Sequence, residues 1–157
     1  MLRIEGEALE GRNGHEAGRA LLARMYREQT GEPCPEIAVA ERGKPYFVTG
    51  TLHFSISHTK KHVFCALSHR PVGLDAEETD RQINLRLAEN ILSEPEKARF
   101  RGAADKRDAL LRFWVLKEAS VKRTGDGLRG YPNHTDFDPY DPRVTQMHGC
   151  YVAVMEE

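Results

Sequence analysis

The stretch Leu110–Lys122, LLRFWVLKEASVK, predicts the helix around which the rest of the chain is arranged. It contains no Gly or Pro and consists mostly of residues that favour helices. At about 100° per residue, one arc of this helix gathers Leu111, Trp114, Val115 and Glu118, with Lys122 at its edge. A carboxylate within an apolar face is costly unless it has a partner. The ordinary alternative, an exposed Glu118–Lys122 pair, leaves the apolar surroundings unexplained, so we interpret Glu118 as a functional acid.

The composition fits one globular domain or two small fused lobes. The chain has 157 residues, and its formal net charge of -1 gives no reason to expect nucleic acid or an anionic membrane as partner. No apolar run approaches membrane-spanning length, and the first residues lack the apolar core of a secretory signal, so we expect a cytoplasmic protein. Cys34, Cys65 and Cys150 are odd in number and far apart, which predicts reduced thiols and no metal site built on cysteine.

The remaining patterns predict an α+β chain. The apolar spacing predicts a helix over 16–28, a second helical region over 83–101 with a Ser93-x-x-Glu96 capping box, and the central helix from Asp105 to the glycines at 125 and 127. Strands are predicted at 37–40, 52–58, 63–68, 72–76 and 150–155, whereas residues 1–14 fit either a short strand or loop.

Two strand segments resemble each other. HVFCALS and GCYVAVM each lie at the end of a half that begins with a helix. Two related halves, about 1–70 and 71–157, would pack as an intramolecular pseudo-dimer with the active site between them. This similarity is weak evidence by itself.

Two acidic side chains indicate a metal site. In the segment GLDAE, strand alternation places Asp75 and Glu77 on one face, where they repel each other unless a cation lies between them. Carboxylate oxygens favour Mg²⁺ or Mn²⁺, and Glu118 would complete such a site from the central helix. The alternative for this segment alone is a solvated acidic turn.

Polar residues before this segment indicate phosphate binding only weakly. Ser57 and His58 end a strand within FSISH, where they would hold a phosphate oxygen, and Lys44 lies in the turn G-K-P. Each is an ordinary surface or turn residue when taken alone.

Together, the ordered blocks are far more specific. The succession GKP, FSISH, GLDAE and FWVLKEASVK, followed by G-x-G-L, resembles the 4′-phosphopantetheinyl transferase superfamily. It is most similar to the single-chain, pseudo-dimeric type that activates carrier proteins of peptide and polyketide synthesis. The resemblance runs from about Arg19 to Leu128.

The resemblance implies a role for each matched residue. Asp75, Glu77 and Glu118 would bind Mg²⁺, with Mn²⁺ as an alternative, at the pyrophosphate of the co-substrate coenzyme A. Lys122 would neutralise phosphate charge and protonate the departing oxygen, and Glu118, directly or through a water, would accept the proton of the incoming serine. Catalysis would thus rest on Glu118, Lys122 and Asp75.

The same resemblance places the nucleotide end of coenzyme A against a second set of residues. These are Lys44, Ser57, His58, Arg19 and Lys122, with His58 near the 3′-phosphate. Few basic residues precede Arg19, which predicts weaker or differently arranged nucleotide binding than in the family. The Pro-rich segment 131–147 leaves the outer strands of the second half uncertain.

The expected reaction transfers 4′-phosphopantetheine from coenzyme A to a serine of an apo-acyl or peptidyl carrier protein and releases 3′,5′-ADP. A monomer is expected, without nucleic acid or membrane partners. Basic residues on the helices after Glu77 are candidates for carrier binding: Arg81, Arg86, Arg99, Arg101, Lys106 and Arg107. The alternatives are a non-catalytic relative that binds coenzyme A or a carrier protein, and an unrelated Mg²⁺-dependent phosphohydrolase.

Overall fold

The computed structural model describes residues 1–125 and 135–157 and has an α+β fold. Within these residues, four helices and a short 3₁₀ turn at Leu85–Leu87 accompany the strands. The helices are α1 (Gly14–Thr30), α2 (Ala88–Ile91), α3 (Glu94–Arg101) and α4 (Lys106–Thr124). The strands are β1 (Leu2–Ala8), β2 (Ile37–Val39), β3 (Pro45–Phe47), β4 (His53–His58), β5 (His62–Ser68), β6 (Val72–Glu78), β7 (Val144–Met147) and β8 (Cys150–Glu156).

Two antiparallel sheets of three strands dominate the described residues. The first has the order β1-β5-β4 and the second the order β6-β8-β7, while β2 and β3 form a separate hairpin. In each sheet, the strand that comes last in the chain lies in the centre. The two similar segments noted in the sequence, HVFCALS and GCYVAVM, coincide closely with these central strands.

Strand alternation distributes the apolar residues over three cores. On β5, Val63 and Cys65 face α1, whereas Phe64 faces the second sheet. On β8, Ala153 faces α4, and Val152 lies in the core between the sheets. Each sheet is therefore covered by one long helix on its outer face and by the other sheet on its inner face.

Helix α4 lies unusually close to β6 because Gly73 has no side chain. A Cβ atom at Gly73 would lie 2.0 Å from the carbonyl oxygen of Ala119 and 2.3 Å from the backbone nitrogen of Arg123. Gly73 thus allows backbone-to-backbone packing, which sets the distance between the acids of β6 and the side chains of α4.

Capping residues define the boundaries of the two long helices. Asp105 caps α4 where the sequence predicts its start, whereas α1 begins at Gly14, before the predicted residue 16, because Asn13 caps it. The residues that follow the two helices, Gly31 and Gly125, are both in the left-handed conformation. The capping box at Ser93 is confirmed, and it divides the region 83–101 into separate helices.

Two uncertain segments form strands. Residues at the start of the chain form β1, which pairs along its length with β5. β7 forms within the Pro-rich segment and pairs with β8. The predicted motif residues 126–128 and the first part of the Pro-rich segment, 131–134, lie outside the described residues. In the described parts of the chain, no helix is both long and apolar enough to cross a bilayer.

Candidate active site

Asp75 is the buried centre of the candidate site. It lies on the face of β6 that meets α4, and its side chain is 10% exposed. Oδ1 accepts hydrogen bonds from Lys122 Nζ at 2.9 Å and from Ser57 Oγ at 3.3 Å. Burial raises the pKa of the Asp75 carboxyl to about 6, against the opposing effect of Lys122. The charges of Glu118 and Glu77 contribute smaller increases to this raised pKa.

Glu77 lies on the same face of β6 and is half-buried. Arg81, four residues further along the chain, forms an ion pair with Glu77 Oε1. The guanidinium carbon of Arg81 also lies 5.7 Å from the centre of the Trp114 ring. Burial raises the pKa of Glu77, while Arg81, Trp114 and Lys122 lower it. Lys122 and Arg81 therefore supply the positive charge that keeps two neighbouring carboxylates together.

The central helix brings Glu118 and Lys122 to these acids. Both side chains are half-buried on α4, at positions one turn apart. Lys122 pairs with Asp75 on β6 and not with Glu118 on its own helix. The two residues of α4 therefore do not form the ordinary i,i+4 surface pair. The structure thus gathers the four charged residues predicted for catalysis and metal binding: Asp75, Glu77, Glu118 and Lys122.

Two serines connect the edge of the first sheet to β6. Ser55 Oγ accepts a hydrogen bond from the backbone N–H of Leu74 at 2.9 Å, and Ser57 Oγ accepts one from Ala76 at 3.2 Å. Because both serines are buried, these bonds satisfy backbone donors that would otherwise lack a partner. Ser57, predicted for nucleotide binding, accordingly has a structural role as well as a contact with Asp75.

A cavity of about 230 Å³ lies beside Lys122. Its wall combines the G-K-P turn, β4 and the end of α4, through Gly43, Lys44, Pro45, Ser55, Val121 and Lys122 among others. Lys44 Nζ donates to the carbonyl oxygens of Val72 at 3.3 Å and Arg123 at 2.5 Å. Burial and the neighbouring Arg123 lower the pKa of Lys44. Three separate sequence blocks of the predicted site therefore meet around one cavity.

Three of the five predicted nucleotide-binding residues, Ser57, His58 and Arg19, lie outside the described wall of this cavity. His58 is exposed, and its ring packs against Gly14 at the start of α1. Arg19 lies on α1, where its charge lowers the pKa of Cys34 against the larger effect of burial. The assignment of these three residues to coenzyme A stays a prediction.

The acids fit a hard divalent cation such as Mg²⁺ by their chemistry. They offer only oxygen ligands, and Asp75 Oδ2 is buried without a hydrogen-bond partner. Among the described residues, the ligand atoms of Asp75, Glu77 and Glu118 do not all lie within 4.8 Å of one another. Sharing one ion between Asp75, Glu77 and Glu118 therefore requires their side chains to draw closer together.

One buried ion pair was not anticipated from the sequence. Lys117 Nζ lies 2.5 Å from Glu96 Oε1, and both side chains are fully buried. Glu96 also accepts the backbone N–H groups of Ser93 and Phe137, both at 2.8 Å. The pair joins α3 to α4, the helix that carries Glu118 and Lys122. A lysine within the apolar run WVLKEA was the available signal, but helical spacing alone could not show its partner.

Comparison with known proteins places these residues in a family context. The model of the 4′-phosphopantetheinyl transferase superfamily matches residues 71–150, about half of the chain. The chain is 38% identical over 114 residues to 4′-phosphopantetheinyl transferase AcpT of Salmonella typhi, covering 69% of this chain and 57% of that protein. It is 30% identical over 113 residues to 4′-phosphopantetheinyl transferase Sfp of Bacillus subtilis, covering 70% and 49%.

A third similar protein is the 4′-phosphopantetheinyl transferase gsp of Aneurinibacillus migulanus. It is 36% identical over 90 residues, covering 56% of this chain and 37% of the relative. The chain thus spans about half the length of the curated relatives that it matches.

Proposed function

Because the chain belongs to the 4′-phosphopantetheinyl transferase superfamily, we propose that it transfers the 4′-phosphopantetheine group of coenzyme A to a serine of an apo-acyl or peptidyl carrier protein. The products are the modified carrier and 3′,5′-ADP. The matched relatives named 4′-phosphopantetheinyl transferase support this reaction.

The position of Lys122 is the observation that carries the proposal. Its ammonium group donates to Asp75, and the same side chain lines the cavity formed by the G-K-P turn and β4. Lys122 therefore lies between an acidic group suited to a cation and a cavity suited to part of a ligand. A phosphate diester bound across this boundary would place its charge next to Lys122.

The residues supply what displacement at phosphorus requires. This reaction needs charge neutralisation and alignment more than covalent catalysis. Asp75, Glu77 and Glu118 would hold Mg²⁺, or Mn²⁺, which neutralises the pyrophosphate charge when bound. Glu118 accepts the proton of the carrier serine, whose oxygen forms the new bond to phosphorus. Lys122 donates a proton to the oxygen that leaves with 3′,5′-ADP.

The proposed active site lies between two related halves of about 1–70 and 71–157. The identical strand order of the two sheets supports this pseudo-dimer, and the site draws Lys44 and Ser57 from the first half and Asp75 from the second. A monomer would be sufficient to form it. The three unpaired cysteines agree with the proposed cytoplasmic location.

Carrier binding is proposed for three basic residues, Arg86, Arg101 and Lys106, whose positions on the elements after β6 define the proposed carrier surface. All three residues are exposed, and Leu85 adds an apolar side chain that is 42% exposed. Arg81 pairs with Glu77, Arg99 donates to Phe137, and Arg107 donates to Thr79 and Arg81, so these three side chains are engaged with other parts of the chain. Within the exposed group, Lys106 donates to the nearby carbonyl oxygen of Ala103. An acidic helix of a carrier protein would complement the exposed group.

Release of 3′,5′-ADP tests the reaction against its alternatives. We expect release only when coenzyme A, Mg²⁺ and an apo-carrier are all present. Release without a carrier would indicate a phosphohydrolase, whereas coenzyme A binding without release would indicate a non-catalytic relative. Either result would contradict the proposed transfer.

A further inference from the structure

A second cluster of metal-ligating side chains lies at the other face of β6. His62 begins β5, Glu78 ends β6, and Cys150 begins β8. Glu78 Oε2 lies 3.0 Å from His62 Nδ1 and 2.9 Å from Cys150 Sγ, and the remaining pair, Nδ1 and Sγ, is 3.6 Å apart. Strand alternation separates this cluster from Asp75 and Glu77, which face α4.

We infer that His62, Glu78 and Cys150 form a binding site for a borderline divalent transition-metal ion, Zn²⁺ foremost. Imidazole nitrogen, thiolate sulfur and carboxylate oxygen are the three ligand types that Zn²⁺ uses in proteins. Bond lengths of about 2.0–2.3 Å around a tetrahedral ion place ligand atoms roughly 3.4–3.6 Å apart. The side chains need to move by only a few tenths of an ångström to reach these separations.

Hydrogen bonding alone accounts poorly for the cluster. Thr59 Oγ1, His62 Nδ1 and Cys150 Sγ all contact the same carboxylate oxygen, Glu78 Oε2. An oxygen has two lone pairs, so three donors exceed what it accommodates well. A cation among His62, Glu78 and Cys150 removes this crowding.

The surroundings of the cluster leave room for a fourth ligand. His62 and Glu78 are each 17% exposed on the side chain, so water can reach the site. The exposed ring of His148 also stacks on His62, with centroids 5.9 Å apart. His148 has a φ of +52°, a conformation that is uncommon outside glycine. Water or His148 would complete the coordination.

Metal binding at this cluster would join the two sheets. His62 belongs to the first sheet, whereas Glu78 and Cys150 belong to the second. On binding, the thiol proton of Cys150 passes to solvent and the sulfur bonds to the metal as thiolate. The site could not be predicted from sequence spacing, because Glu78 lies 16 residues from His62 and 72 residues from Cys150 along the chain. Metal binding here would contradict the expectation that no metal site is built on cysteine.

Co²⁺ titration of the reduced, tag-free protein tests the inference, because thiolate ligation to Co²⁺ gives an intense near-ultraviolet absorption band. The wild type should show this band and lose it when Zn²⁺ is added, and excess Mg²⁺ should leave it unchanged because sulfur and nitrogen ligands discriminate against Mg²⁺. Cys150→Ser should abolish the band. His62→Gln should weaken metal binding by more than the roughly 10–100-fold that loss of an outer-shell partner costs.

Cys34→Ser and His53→Gln are matched controls outside the cluster, and both should retain the band. Circular dichroism establishes that each variant is folded. Absence of the band in the wild type, its persistence in Cys150→Ser or its loss in Cys34→Ser would overturn the inference. None of these results depends on transferase activity, so the metal site and the proposed reaction are tested independently.

Discussion

Lys122 lies between the acidic residues and the cavity of the candidate active site. Its ammonium group lies 2.9 Å from Asp75 Oδ1, and its side chain forms part of the cavity wall. A fixed cation at this boundary stabilises negative charge that develops on a leaving phosphate oxygen. Lys122 is therefore the residue whose removal should affect the proposed chemistry with the least change to the core.

Replacing Lys122 by Met should lower kcat for phosphopantetheine transfer by about 10²–10³-fold, because one preorganised donor to the leaving group is lost. Steady-state kinetics with a saturating carrier measures this effect. Lys60→Met, at an exposed position outside the candidate site and the proposed carrier surface, is the matched control and should keep wild-type kcat. Unchanged kcat in Lys122→Met would contradict the role assigned to Lys122.

For single residues, the sequence predicted which side chains share a helix face but not which tertiary contacts they make. Helical spacing predicted that Glu118 and Lys122 share one face of α4, and the structure places both near Asp75. The sequence could not identify the double role of Ser57, because that role depends on the backbone N–H of Ala76 in another sheet. It also could not show that Lys44 donates to carbonyl groups of Val72 and Arg123. Such contacts arise only from tertiary packing.

At the level of helices and strands, Gly73 fixes the approach of α4 to β6. The atoms that a Cβ at this position would meet belong to the backbone of α4, so the helix itself must move to make room. Movement of α4 shifts Glu118 and Lys122 together relative to Asp75.

Gly73→Ala should therefore destabilise the fold by about 1–3 kcal/mol and lower transfer activity beyond what stability explains. Urea denaturation and kinetics at a temperature where the variant is folded separate the two effects. Gly102→Ala is the matched control, since its Cβ would meet no heavy atom closer than 3.6 Å. Wild-type activity in Gly73→Ala would show that the α4–β6 distance does not control the site.

The buried pair between α3 and α4 gives a second prediction for these elements. Burial lowers the pKa of Lys117, and Glu96 opposes this effect by favouring the charged form. Lys117→Met should cost about 3–5 kcal/mol of unfolding free energy because it leaves a buried carboxylate without its cation. The two backbone donors to Glu96 place the expected loss near the lower end.

Chemical denaturation measures this loss, and Glu96→Gln in the Lys117→Met background should recover part of it because no lone charge remains. Equal stability of Lys117→Met and wild type would show that the ion pair contributes little. The capping box at Ser93 was evident from sequence, since it is local. The ion pair between Glu96 of this capping box and Lys117 was not evident from sequence, because Glu96 lies on α3 and Lys117 lies on α4.

For the whole molecule, the sequence indicated the α+β class and most elements, because capping residues and apolar periodicity are local signals. It left β1 and β7 undecided. Both are edge strands of mixed polarity, and their formation depends on pairing with the central strands β5 and β8. The arrangement of two sheets sharing an apolar core likewise required the structure.

The proposed carrier surface is testable at this scale. Reversing the charges of Arg86, Arg101 and Lys106 together should raise KM for the carrier and leave KM for coenzyme A unchanged, because rim charges steer and orient partners. Reversing Arg27 and Lys60, exposed basic residues outside this surface, is the control. Equal increases in both KM values would contradict a role in carrier recognition.

The central claim is that this chain modifies carrier proteins through the Asp75, Glu118 and Lys122 site. Intact-mass spectrometry of an apo-acyl carrier protein, incubated with coenzyme A, Mg²⁺ and the wild type or Glu118→Gln, tests it most directly. We predict that the carrier gains the mass of phosphopantetheine with the wild type and that the gain is lost with Glu118→Gln. No gain with any of several apo-carriers, or an equal gain with the variant, would contradict the account.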